Sequence, residues 1–136
     1  LGGKKQMPKA RVERSVEIPD GSYEGIIRET QWREIEGEKG TFEYVDVFID
    51  IEEFPEVSNL KVSYPFKITQ LTLLGQVLQR FGVNLEDVGA MIEIDDYLLG
   101  RKVYFSLMNK ETSNGKFAVI DKNSIVPLKR DAQTKL

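Results

Sequence analysis

Between Thr41 and Glu53, Phe42, Tyr44 and Phe48 fall on one phase of a period-two alternation, and Val45, Val47, Ile49 and Ile51 fall on the other. Rings repeated along one face of an extended chain can do one kind of chemistry, stacking against a flat partner that carries its own π-system. Trp32 and Arg33 precede these rings, Lys61 and Lys67 follow them, and Lys110 and Lys116 flank a later turn; each could add a ring or a cation to the same surface. Asp46 and Asp50 share the aromatic phase, so an anionic partner is expected nearest Phe42 and Tyr44. The plainer alternative is that a strongly coiled strand buries part of both faces, leaving some of these rings as core and the lysines as solvated surface.

Covalent chemistry has little to work with. The chain of 136 residues contains no cysteine and no histidine, which excludes Ser–His and Cys–His nucleophilic catalysis, disulfides and imidazole or thiolate metal sites. Two acidic sets, Glu52, Glu53 and Glu56, and Glu93, Asp95 and Asp96, offer oxygen ligands of the kind a hard cation takes. Neither follows a calcium-loop spacing, and both read as solvated surface. No nucleophile accompanies the carboxylates, so the chain reads as a non-enzyme with no catalytic residues, no metal and no cofactor.

Several elements must position the candidate residues. Residues 1–15 carry Gly2-Gly3 and Pro8 without periodicity and read as a flexible basic arm; the opening Leu1-Gly2-Gly3 suggests a processed end. Pro19-Asp20-Gly21 signals a turn into a strand over 22–33, in which Gly25 marks a bulge or bend and the chain changes face. The stretch 34–40 reads as a loop, 41–53 as the second strand, and 60–68 as a third that Pro65 places at an edge or an irregularity. Leu71, Leu74, Val77, Leu78 and Phe81 then switch to helical spacing, giving about three turns between a Thr69 cap and a Gly82 stop. A short second helix is compatible with 84–99. A fourth strand starts at Gly100 with Val103, Phe105 and Leu107 inward, 109–115 forms a loop around Asn114-Gly115, and 116–121 is the fifth strand. Residues 125–128 close the domain, and 129–136 read as a flexible tail.

This order predicts a mainly β domain over residues 16–128: a five-stranded antiparallel OB-fold barrel capped by one helix between strands three and four. Pro19-Asp20-Gly21-Ser22-Tyr23-Glu24-Gly25, the aromatic strand at 42–51, Leu78-Gln79-Arg80-Phe81-Gly82 and Leu99-Gly100-Arg101-Lys102-Val103 together resemble small phage and archaeal OB-fold proteins of single-stranded DNA-binding type. The resemblance spans residues 18–128 and rests on turn glycines and core positions. It implies a ligand surface on strands two and three, between the loops 34–40 and 109–115.

The expected function is therefore a non-catalytic module for single-stranded DNA or RNA, in replication or repair. Bases would stack on Phe42, Tyr44, Phe48 and Trp32, while Arg33, Lys61, Lys67, Lys110 and Lys116 would meet phosphates. Charge argues in both directions. Of the net −3, residues 1–14 carry +4 and residues 129–136 carry +2, which leaves −9 on the body. Basic tails suit a polyanion, and an acidic body repels one. The alternative is a protein-interaction or assembly domain, self-association included, that uses the same aromatic patch. No apolar run reaches the roughly 20 residues that span a bilayer and no signal-peptide pattern opens the chain, so a soluble cytoplasmic location, host-cell cytoplasm for a viral chain, is the expectation.

Overall fold

The structure is a computed structural model that describes residues 7–10, 12 and 17–128. The expected arm therefore lies mostly, and the expected tail wholly, outside the described residues. Six strands and two short helices follow one another as β1 (Gly21–Gly37), β2 (Gly40–Ile51), β3 (Lys61–Pro65), α1 (Leu73–Arg80), α2 (Ile94–Leu98), β4 (Lys102–Thr112), β5 (Gly115–Ile120) and β6 (Val126–Pro127). All pairings are antiparallel, in the order β3-β2-β1-β4-β5, with β6 added to β4.

The expected closed five-stranded barrel is not what forms. Closing it would require a ladder between the terminal strands β3 and β5, and among the described residues there is none. The reason is local. Lys61–Pro65 supplies only five residues, and it ends on a proline that has no N–H to donate. Beyond it the chain turns toward α1. The two ends of the open sheet are joined instead by a side chain: Tyr64 on β3, 1% exposed, donates its hydroxyl to the Lys122 carbonyl just past β5 at 2.6 Å.

Two expected loops turn out to be strand. β1 continues to Gly37 and pairs Ile35 with Phe42 and Gly37 with Gly40, leaving only Glu38 and Lys39 as the turn. β4 likewise runs to Thr112 and turns through Ser113 and Asn114 into β5. The bulge in β1 falls at Arg28, between the pairs Ile27–Ile49 and Glu29–Phe48, and not at Gly25. Gly25 has a different task. A Cβ there would lie 2.5 Å from the Asp50 carbonyl oxygen and 3.2 Å from the Phe105 ring, so its absence lets the coiled strands approach.

The helical stretch is shorter than its apolar spacing suggests. Thr72, not Thr69, is the cap, accepting from the Gly75 N–H at 3.2 Å, and Thr69 Oγ1 instead takes the N–H groups of Leu71 and Thr72. Leu71 is consequently 89% exposed, while Leu74, Val77, Leu78 and Phe81 are buried. The core joins this stripe to the inner phases of the sheet, chiefly Tyr23 and Ile27 of β1, Val45, Val47, Ile49 and Ile51 of β2, Val62 and Tyr64 of β3, and Val103, Phe105 and Leu107 of β4. Among the described residues no helix is long and apolar enough to cross a membrane.

Candidate binding face on the outer side of the sheet

Strand register builds the site. Val45, Val47, Ile49 and Ile51 point into the core, so Phe42, Tyr44, Asp46, Phe48 and Asp50 must point out of it. Across β1, Ile35 stands beside Phe42, Arg33 beside Tyr44, Gln31 beside Asp46 and Glu29 beside Phe48; across β3, Pro65, Ser63 and Lys61 stand beside Tyr44, Asp46 and Phe48. The bulge sends Arg28 to this outer side as well, where its Nε donates to Asp50 at 3.1 Å and its Nη2 to the Ser58 carbonyl at 2.7 Å.

Asp46 is the centre of this face and is only 2% exposed. Its carboxylate accepts from Arg33 Nε at 2.7 Å and from Ser63 Oγ at 2.5 Å, with Lys61 Nζ at 3.6 Å. Burial alone would raise the Asp46 pKa. The hydrogen bonds from Ser63 and Arg33, with the positive charges of Lys61 and Arg33, outweigh burial and hold it below the ordinary carboxylate value. Asp46 and Asp50 therefore do not stand open to a ligand as repelling charges: the first is covered by its partners, and the second is paired with Arg28.

Each half-buried ring has a cation over it. The Arg33 guanidinium carbon lies 4.9 Å from the Tyr44 centroid, and Phe48 has Arg28 at 5.5 Å and Lys61 Nζ at 5.8 Å. Such contacts hold cations beside rings on a surface where a base or another ring could add. Phe42, 49% exposed, has no cation over its ring among the described residues and is the open ring of the row. Past Phe48 the face continues into a depression of about 560 Å³ whose lining includes Ile26, Arg28, Asp50, Ser58 and Lys102.

The remaining candidates lie elsewhere. Trp32 pairs with Val45 and so takes the opposite phase from Tyr44; its indole N–H donates to Glu43 at 2.8 Å on that other side of the hairpin. Lys67 lies beyond the end of β3 and lines a groove with the rest of 66–72 and with 84–85 and 87–92. Lys110 and Lys116 belong to the β4–β5 hairpin, with β1 standing between β4 and β2, and they occupy opposite phases there, opposite Phe117 and Glu111 respectively. The structure thus brings Arg33, Phe42, Tyr44, Phe48 and Lys61 together and leaves Trp32, Lys67, Lys110 and Lys116 apart. Arg28 and Ser63 are members that the sequence argument did not select. The bulge is what carries Arg28 over Phe48.

Among the described residues, the ion pairs of the face join three cations, Arg28, Arg33 and Lys61, to three carboxylates, Glu29, Asp46 and Asp50, and the adjoining depression adds Lys102, Glu24 and Glu52. The face can stack and hydrogen-bond, but its charges largely cancel within it. Among the described residues no group of three or more histidine, cysteine, aspartate or glutamate side chains converges to hold a metal ion. In comparisons with known proteins the chain matches no family model and no curated protein.

Proposed function

We propose that the protein is a non-catalytic module that binds single-stranded nucleic acid, DNA in the first place, on the outer face of β1–β2–β3. The observation that carries the reading is the row Phe42, Tyr44 and Phe48 on one outward phase, with the guanidinium groups of Arg33 and Arg28 over two of the rings. Bases stack on Phe42 and add at Tyr44 and Phe48, and each such contact is worth about 1–3 kcal/mol by alanine substitution. Arg28, Arg33 and Lys61 reach phosphates from beside the rings while Asp46 and Asp50 hold them in place. Because cations and carboxylates balance on this face, stacking supplies most of the affinity, and the salt slope is shallow for a nucleic-acid binder.

The test is anisotropy of a fluorescein-labelled oligo-dT titrated with protein, repeated as salt is raised. Trp32 quenching is the poorer signal, since the indole lies on the other side of the hairpin. Saturable binding that Phe42→Ala and Tyr44→Ala each weaken about tenfold or more supports the reading. No anisotropy change at low salt with protein in the tens of micromolar range refutes it. A second reading seats a protein partner on the same rings. It is favoured by the charge balance and by the exposed Ile35–Phe42 pair on the part of the hairpin that extends past both neighbouring strands.

A further inference from the structure

A second surface of different chemistry lies between the chain leading into α1 and the segment before α2. Residues 66–72, 84–85 and 87–92 line a groove of about 940 Å³ that shares no residue with the outer face of the sheet. Its apolar lining is open to solvent: Val88 is 93% exposed, Met91 97% and Leu71 89%, with Phe66 at 40%. Large apolar side chains exposed together around one depression mark an interaction site and not a core.

Charge narrows the choice of occupant. From 84 to 96 the chain carries Glu86, Asp87, Glu93, Asp95 and Asp96 and no lysine or arginine, and the facing wall contributes only Lys67. None of these five carboxylates forms an ion pair with another described residue, and of the five Asp95 alone accepts a side-chain hydrogen bond, from the Thr30 hydroxyl on β1. Asp87 lines the groove itself, Glu86 and Glu93 adjoin its lining in the chain, and against them stands the single Lys67; an apolar groove in a stretch of that charge suits a segment that carries several positive charges and a few apolar side chains. The chain itself contains one. Residues 1–14 hold Lys4, Lys5, Lys9, Arg11 and Arg14 against Glu13, with Met7 and Val12 interspersed. Met7 is 87% and Val12 96% exposed, so neither is seated in the groove of its own chain.

We infer that the groove receives the basic amino-terminal segment of a second copy of this chain, so that copies associate head to tail. The contact is heterologous: the surface given by one copy differs from the surface it receives, and association continues for as long as free grooves and segments remain. The driving terms are burial of Val88, Met91 and Leu71 against Met7 and Val12, and attraction between a +4 segment and the acidic stretch, which salt screens. This inference does not depend on nucleic-acid binding and is tested without any.

Sedimentation velocity and light scattering on the full chain, from micromolar to near-millimolar protein, read the weight-average mass against the 15.5 kDa of one chain. The expected result is a mass that rises with concentration and falls back as salt is added. Two single-surface variants separate the halves. Val88→Ser with Met91→Ser disables the groove, and Lys4→Glu, Lys5→Glu, Lys9→Glu and Arg11→Glu together disable the segment. Each variant alone stays at one chain's mass, and their equimolar mixture forms a 1:1 complex that grows no further, because it holds one working groove and one working segment. Glu86→Lys with Asp87→Lys repeats the groove test by charge alone. A wild-type chain that stays at one chain's mass throughout overturns the inference, whether the groove then takes an unrelated partner or its own segment. So does association in either variant alone as strong as in the wild type, or a mixture that remains at one chain's mass.

Discussion

Replacing Asp46 by asparagine separates what its charge does from what its shape does. The carboxylate accepts from Arg33 at 2.7 Å and Ser63 at 2.5 Å and has Lys61 at 3.6 Å, all at 2% exposure of the residue. In Asp46→Asn the remaining carbonyl oxygen still takes the Ser63 hydroxyl, but the amide nitrogen then meets the Arg33 N–H donor to donor. A hydrogen bond to a charged group is worth about 1.5–3 kcal/mol. The Arg33 side chain is 38% exposed and can take up water instead, and the variant no longer buries a charge. Both effects place the expected loss near the low end, about 2 kcal/mol. For a domain of this size that is a fall of about 8 °C in melting temperature.

The pH dependence carries the stricter test. Asp46 has its folded-state pKa lowered from 3.8, so its contribution to stability is fully present above that value and is lost as pH falls through the lower, folded value. Urea unfolding of wild type and Asp46→Asn should therefore differ by a constant amount from pH 7 down to about pH 5 and converge in the acid range below 3.8. A cycle with Arg33→Met isolates the pair, whose coupling should account for most of the difference. Equal stability at pH 7, or a gap that stays constant into acid, would refute the account of Asp46 as the charged centre of the face.

Other substitutions probe the fold and the face. Gly75→Ala should destabilise by about 3 kcal/mol, although alanine is the better helix former by about 1 kcal/mol, because a Cβ there would sit 1.7 Å from the Thr69 carbonyl oxygen; a stabilised variant in thermal melts would show that contact to be misread. Tyr64→Phe leaves the Lys122 carbonyl without its donor and should cost about 1–1.5 kcal/mol in urea unfolding, with faster amide exchange around Asp121 to Ser124; unchanged exchange there would mean that the hydroxyl does not join the sheet ends. Trp32→Phe should leave oligo-dT affinity within about twofold, because the indole is on the opposite phase from Tyr44, and a loss as large as that of Tyr44→Ala would place both rings in one site.

Alternation and turn chemistry are local properties, and what they imply was legible from the residues alone. The outward phase of Phe42, Tyr44 and Phe48 follows from a period of two. The inward phase of Val103, Phe105 and Leu107 follows in the same way, and both agree with the observed burial. Strand lengths were less legible. Glu34 to Gly40 is polar and contains two glycines, which resembles a loop, yet the ladder with Phe42 and Thr41 keeps Ile35 and Glu36 extended. Helix length failed for a related reason: Thr69 and Thr72 are both good caps, and the choice fell to the close approach of Gly75 to the Thr69 carbonyl.

The sequence by itself determined a mostly antiparallel β chain with a short helical stripe after three strands, one strand bearing aromatic residues on its outward phase, and no thiol or imidazole chemistry. Those conclusions need only neighbours in the chain. Tertiary structure decided what depends on partners far along it. It left the sheet open, with Tyr64 reaching Lys122 where a ladder was expected. It moved Trp32 to the other side through a single bulged residue at Arg28, because one extra residue inverts every later side chain of a strand. It also turned Asp46 from a charge expected to repel a ligand into the buried anchor of Arg33 and Lys61, since Ser63 and Lys61 reach it only across the β2–β3 ladder.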